Sequence, residues 1–344
     1  MEPGLPEQVS SPEIAGKIPQ SSEEPERAFI PDERKKPSVL QKTAVLSFVL
    51  IVFFFLGKAF YRNLGQLGAY SWSIKPSLLI LSLAFLIANL AISALAWKRI
   101  LSLFEVRLPF DQSFKIMFVS GLGKYLPGKI WLYVSQVYLG QRARIPKSVC
   151  VFSLLLLFAA YSLAGTLVFV LSLFLWQRFS PLVISGLALA TCAILLMIFS
   201  PRFLSRTLSF LVVVSKGLKK KLIPGTLIFR GDVYRAGEII LILLADWVVF
   251  GVACYLLVNS FYHISASQTV ILCGIFAVSS ILGIVSFFVP AGLGVREGAS
   301  SYLLSMFMPI PAAILISLVM RVWMTIGELI CFVLALRIKK PKLW

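Results

Sequence analysis

Residues 148–176 run for 29 positions without a single charged side chain. About 20 apolar residues cross the hydrocarbon core of a bilayer, and a helix or a closed barrel is the only backbone that satisfies its own polar groups there. Comparable runs occupy 77–97, 181–200 and 239–260, and a shorter one occupies 43–57. Lys58 can reach the interface with its ammonium group and let that first helix continue through Phe60 and Tyr61. A further apolar stretch, 264–295, ends at Arg296 and Glu297, and 298–336 is apolar except for Arg321 and Glu328, which predicts a last helix over 312–336. With 58% hydrophobic and 14% charged residues, the chain carries too much apolar surface for a water-soluble domain. The fold class is therefore all-α: a polytopic membrane protein of about seven or eight membrane helices or half-helices.

Charge gives the organisation and the orientation. Residues 1–42, rich in Pro, Glu and Ser, read as a disordered tail ahead of a membrane domain over 43–344. The extreme N-terminus is acidic and far from the first apolar run, unlike a signal peptide. Of the 33 Lys and Arg, 27 fall in the tail, in 98–147, in 202–235 and in 337–342, and the alternate connections are nearly free of them. That asymmetry predicts both termini on the cytoplasmic side, in the plasma (inner) membrane of the cell. The net charge of +18 then reflects topology and contact with anionic lipid, as the run 216–221 with its four lysines shows, and not nucleic-acid binding. The same assignment requires 109–147 to begin and end inside and 260–311 to begin and end outside, each as a re-entrant hairpin or as two crossings.

These two uncertain regions resemble one another. Pro127 and Pro290 are 163 positions apart, Ser77 shifted by 163 falls on Ile240, and Pro146 and Pro311 each introduce a long helix. The landmarks describe a repeat, about 77–176 and about 240–336, whose copies run in opposite directions through the membrane. Inverted repeats place broken helices near the midplane, where irregular backbone is tolerated if it lines a cavity.

Two motifs sit at those breaks. In the first, Gly121 to Trp131, Pro127 and Gly128 interrupt the helix and free backbone N–H groups while Lys124 and Lys129 add positive charge, an arrangement suited to a phosphate. The alternative is a basic interfacial loop in which Tyr125 and Trp131 are aromatic-belt residues. In the second, Pro290 precedes Gly292 and Gly294, which permit a tight turn, and Arg296 and Glu297 follow. Charges at membrane depth usually mark a functional position; alternatively this pair opens a helix at an aqueous boundary. Deeper still are Asp246, Arg321 and Glu328, the last two sharing a helix face. Asp246 and Arg321 could pair across helices as structure, or the three could serve charge coupling along a proton or ion path.

Cys150, Cys192, Cys254, Cys273 and Cys331 are scattered singly and read as packing residues, and His263 has no companion ligand. No metal site and no cofactor is called for. No Walker motif, H-E-x-x-H, G-x-S-x-G or paired carboxylates in a hydrophilic domain occur, so the chain is not expected to be an enzyme.

At Lys124-Tyr-Leu-Pro127-Gly128-Lys129-Ile-Trp131, and at Pro290, Gly292, Gly294, Arg296 and Glu297, the sequence resembles the lysylphosphatidylglycerol synthase transmembrane (flippase-like) family over roughly 77–336. Arg321 is similar to an arginine common in the family's following helix. Ala291 stands where a glycine is usual, and 158–160 is apolar where many relatives carry an acid. The synthases of that family carry a soluble aminoacyl-transfer domain after the membrane part; this chain ends at Trp344, so lysyl-lipid synthesis is not expected. The resemblance implies translocation, or flipping, of a phosphate-bearing lipid or lipid-linked sugar between leaflets. Its partners would be anionic or polyprenyl-phosphate-linked lipids. Lys124, Tyr125, Lys129, Trp131, Arg296, Glu297 and Arg321 would contact the substrate, with Glu297 positioning Arg296 or exchanging a proton. The alternatives are a small-solute or ion transporter using Asp246, Arg321 and Glu328, and a non-transporting scaffold for a membrane partner such as a glycosyltransferase.

Overall fold

A computed structural model describes residues 58, 61, 74–125, 130–176, 180–198, 233–265, 267–286, 289 and 292–338. The tail over 1–42, the apolar run 43–57 and the lysine run 216–221 lie outside the described residues. What is described is helical, with no strand among the described residues.

The order of elements is α1 (Pro76–Ser102), α2 (Phe110–Gly121), a 3-10 turn (Leu122–Tyr125), α3 (Ile130–Arg142), α4 (Lys147–Trp176), α5 (Pro181–Ile198), α6 (Val233–Asn259), α7 (Gln268–Val285), α8 (Val295–Leu304) and α9 (Ile310–Arg337). A long helix, a pair of shorter helices around a break and a second long helix thus occur over 76–176 and again over 233–337. Helices α1, α4, α5, α6, α7 and α9 are long and apolar enough to cross a bilayer. The chain is an integral membrane protein. At 1.5 Å per residue, α2 and α3 span only about 18–20 Å and α8 about 15 Å, short of a core of about 30 Å. None of these three is long enough to cross alone.

Pro76 and Pro311 sit in the first helical turns of α1 and α9, where a missing N–H costs nothing and the fixed φ favours the helix. Helix α6 starts before the apolar run at 239, because Arg235 and Glu238 belong to its first turns, and Glu238 Oε1 lies 3.0 Å from Arg99 Nε of α1. Helices α1 and α6 run antiparallel along their whole length. The Lys75 N–H donates to the Ser260 carbonyl at one end (3.0 Å), Asn89 Nδ2 donates to the Asp246 carbonyl in the middle (2.8 Å), and Arg99 meets Glu238 at the other end.

Indoles knit the core together. Trp97 of α1 donates to Ser153 Oγ of α4 (3.0 Å), Trp247 of α6 to the Tyr161 carbonyl of α4 (3.2 Å), and Trp323 of α9 to Ser82 Oγ of α1 (3.1 Å). All three are buried, and a buried indole N–H without an acceptor would be costly. The outer faces are apolar: Leu182 and Leu189 of α5 are 82% and 73% exposed, a face suited to acyl chains and not to water. Cys150, Cys254, Cys273 and Cys331 are free thiols buried in this packing, and Cys192 is partly exposed.

Candidate functional site

The second break determines the geometry of the site. Gly294 opens α8 with φ 83°, and Gly292 two residues earlier has φ 68°, a region that side chains with a Cβ rarely adopt. A Cβ on Gly292 would lie 2.6 Å from the Gly283 carbonyl oxygen, so the loop is pressed against the end of α7. Glu297, the third residue of α8, turns back and accepts the Gly294 N–H through Oε2 at 2.6 Å, which satisfies one of the free donors at the helix start. Its other oxygen, Oε1, lies 3.7 Å from Arg321 Nε and has no hydrogen-bond partner.

Arg296 points the other way. It packs against Gly283, and its Nη2 donates to Met324 Sδ of α9 at 2.7 Å. A thioether is a weak acceptor, and no carboxylate lies within ion-pair distance of Arg296 among the described residues. From the first break, Lys124 of the 3-10 turn crosses to Glu328 of α9 and forms an ion pair with it. Helix α9 thus receives a cation from each break along one face, Glu328 holding Lys124, Met324 holding Arg296, and Arg321 facing Glu297.

These groups enclose a cavity of about 370 Å3. Lys124, Arg296, Arg321 and Glu328 line it on one side. Asn89 and Ser93 of α1, Gln136 of α3 and Thr325 of α9 add uncharged polar groups, and Tyr133 and Tyr161 add phenol rings. Met117, Phe118, Phe158 and Phe250 supply apolar wall. Lys124, just before the first break, and Arg296, just after the second, therefore face one space.

The structure corrects three sequence expectations. Asp246 does not pair with Arg321: its side chain is fully buried, accepts the Ser93 hydroxyl at 2.9 Å through Oδ1, and stands behind Ser93 and Asn89, outside the cavity lining. The reason is the antiparallel contact of α1 with α6, which aims Asp246 at α1 and not at α9. Glu297 neither lines the cavity nor bonds Arg296, because as the third residue of α8 it turns back and its carboxylate caps the helix start. Trp131 is 42% exposed and is absent from the lining, since the second position of α3 faces outward. Tyr125 closes the 3-10 turn. Pro127, Gly128, Lys129 and Pro290 lie outside the described residues.

The wall residues Asn89, Ser93, Gln136 and Thr325 were not singled out from the sequence. Asn89 and Ser93 are four apart in an apolar run and share a helix face, a pattern that can be read as a polar stripe inside a span. Nothing in the sequence marks Met324 as a partner of Arg296.

The family model for the lysylphosphatidylglycerol synthase TM region matches residues 42–330, which include both breaks, the cavity and all four of its charged side chains. No curated protein matches the chain.

Proposed function

The chain belongs to the lysylphosphatidylglycerol synthase TM-region family, membrane proteins of lipid handling, and from that premise we propose that it moves a phosphate-bearing lipid or lipid-linked sugar from one leaflet to the other. The observation that carries this reading is Arg296, a guanidinium facing a cavity between candidate spans with no carboxylate within ion-pair distance among the described residues. A charge held at that depth is costly without a partner, and a phosphate is the partner whose two oxygens match the guanidinium fork. Lys124 and Arg321 add positive potential around the same space. The head group would occupy the cavity while the acyl or prenyl chains remain beside the apolar outer faces. No covalent step is involved, so the protein acts as a transporter and not as an enzyme, placed in the plasma (inner) membrane with both termini cytoplasmic. A path for small solutes built on Asp246, Arg321 and Glu328 has less support, because Asp246 does not line the space that the other two share.

Leaflet exchange of fluorescent phospholipid in proteoliposomes, read by quencher accessibility, tests the reading. Exchange faster than in protein-free vesicles, lost in Arg296→Met, is expected. No acceleration with any lipid, including polyprenyl-phosphate-linked sugars, would overturn it.

A further inference from the structure

From the balance of charges on the cavity wall we infer that the head group carries its phosphate as its only charge, that its other polar atoms are uncharged hydroxyls, and that heads bearing an ammonium are rejected. This rests on the lipid-translocation reading and adds the substrate class.

Among the described residues three cations reach the cavity, Lys124, Arg296 and Arg321, against one lining carboxylate, Glu328. That carboxylate is held by Lys124, and Glu297 faces Arg321 from outside the cavity. Among the described residues Arg296 has no carboxylate within ion-pair distance, and a single phosphate would neutralise it. An ammonium brought in with the phosphate would have to leave water for a space in which the only lining carboxylate among the described residues already has a lysine on it. It would also feel the repulsion of the guanidinium groups at close range.

The rest of the polar wall is neutral. Asn89, Ser93, Gln136 and Thr325 come from three different helices and offer hydroxyl and amide groups, as do the phenols of Tyr133 and Tyr161. Such groups exchange hydrogen bonds with hydroxyls in both directions. Ser93 gives its proton to Asp246, which leaves its oxygen as an acceptor for a hydroxyl of the head group. Asp246 itself is fully buried behind this wall. Glycerol, inositol or hexose heads on a phosphate share the required chemistry, whether the lipid is a diacylglycerol or a polyprenol.

Full-length protein in vesicles is given trace fluorescent phosphatidylglycerol, phosphatidylethanolamine, phosphatidylcholine, or a polyprenyl-phosphate hexose, one at a time. Exchange of phosphatidylglycerol or of the hexose lipid at least tenfold faster than of either ammonium lipid is expected, and which of the two is faster identifies the source of the head group. Ammonium lipids exchanged within twofold of the faster anionic one would overturn the inference and leave translocation standing. In parallel, native mass spectrometry of the detergent-solubilised protein compares retained phosphatidylglycerol with phosphatidylethanolamine. If no lipid exchanges, translocation fails, and equal retention of the two lipids would separately refute the head-group preference. Gln136→Glu, nearly isosteric, adds a wall carboxylate and should narrow the difference between the two classes. Asp246→Asn should leave it unchanged, and a loss of ammonium-lipid binding in that variant would show that Asp246 reads the head group after all.

Discussion

Arg296→Met separates a substrate-binding arginine from a structural one, because the two roles predict opposite effects on stability. Methionine is close to the arginine stem in length and flexibility, so contact with Gly283 and Met324 is kept while the guanidinium is lost. Arg296 holds only a thioether through Nη2 and no carboxylate, so the folded protein without lipid loses little. Replacing a buried charge by an apolar group of similar volume is commonly neutral or stabilising, by about 1–4 kcal/mol in well-studied cases. With lipid bound, the variant lacks the charge-assisted hydrogen bonds of guanidinium to phosphate, worth about 1.5–3 kcal/mol net. Exchange rate at subsaturating lipid should therefore fall about 10- to 150-fold, with Lys124 and Arg321 accounting for the residue. Thermal unfolding in detergent should be unchanged or shifted upward. Undiminished exchange would refute the binding role, and reduced exchange with a midpoint several degrees lower would mean that Arg296 holds the fold.

Further outcomes follow from the same geometry. The Lys124 and Glu328 pair is partly buried, with side-chain exposures of 29% and 16%, so a cycle of Lys124→Met, Glu328→Gln and the double variant should show a coupling of about 1 kcal/mol in urea or thermal unfolding; additivity within error would mean the pair is not formed. Gly292→Ala should lower stability by about 2 kcal/mol or more, from the positive φ and from a Cβ at 2.6 Å from a backbone oxygen, and a folding yield equal to native would contradict the tight loop. Glu297→Ala should cost about 1 kcal/mol through loss of the bond to the Gly294 N–H, seen as a lower unfolding midpoint, whereas Gln, which keeps an acceptor oxygen, should lose less. Trp131→Ala should leave lipid exchange within twofold of native; a large loss would return Trp131 to the substrate path.

The parts of the molecule that were legible in the sequence are those fixed by local chemistry. Residues 148–176 declare a spanning helix because hydrocarbon admits no other use of 29 uncharged positions. Gly292 and Gly294 declare a turn because glycine adopts the positive φ values found there at the least cost. The seven-residue spacing of Arg321 and Glu328 places both on one face of α9, and both do line the cavity. Which partner each charge meets is a different matter, since it depends on how helices far apart in sequence are aligned. Asp246 and Arg321 were each recognisable as buried charges, but the antiparallel register of α1 on α6 gives Asp246 to Ser93. The start of α8 gives Glu297 to Gly294 and to Arg321. These two placements have the same consequence: they remove two carboxylates from the cavity wall. A reading of the sequence that counts Asp246, Glu297 and Glu328 against Lys124, Lys129, Arg296 and Arg321 leaves one positive charge. With Asp246 and Glu297 turned away, the lining carries three cations and one acid among the described residues, and it is this surplus, not the presence of charge as such, that suits a phosphate.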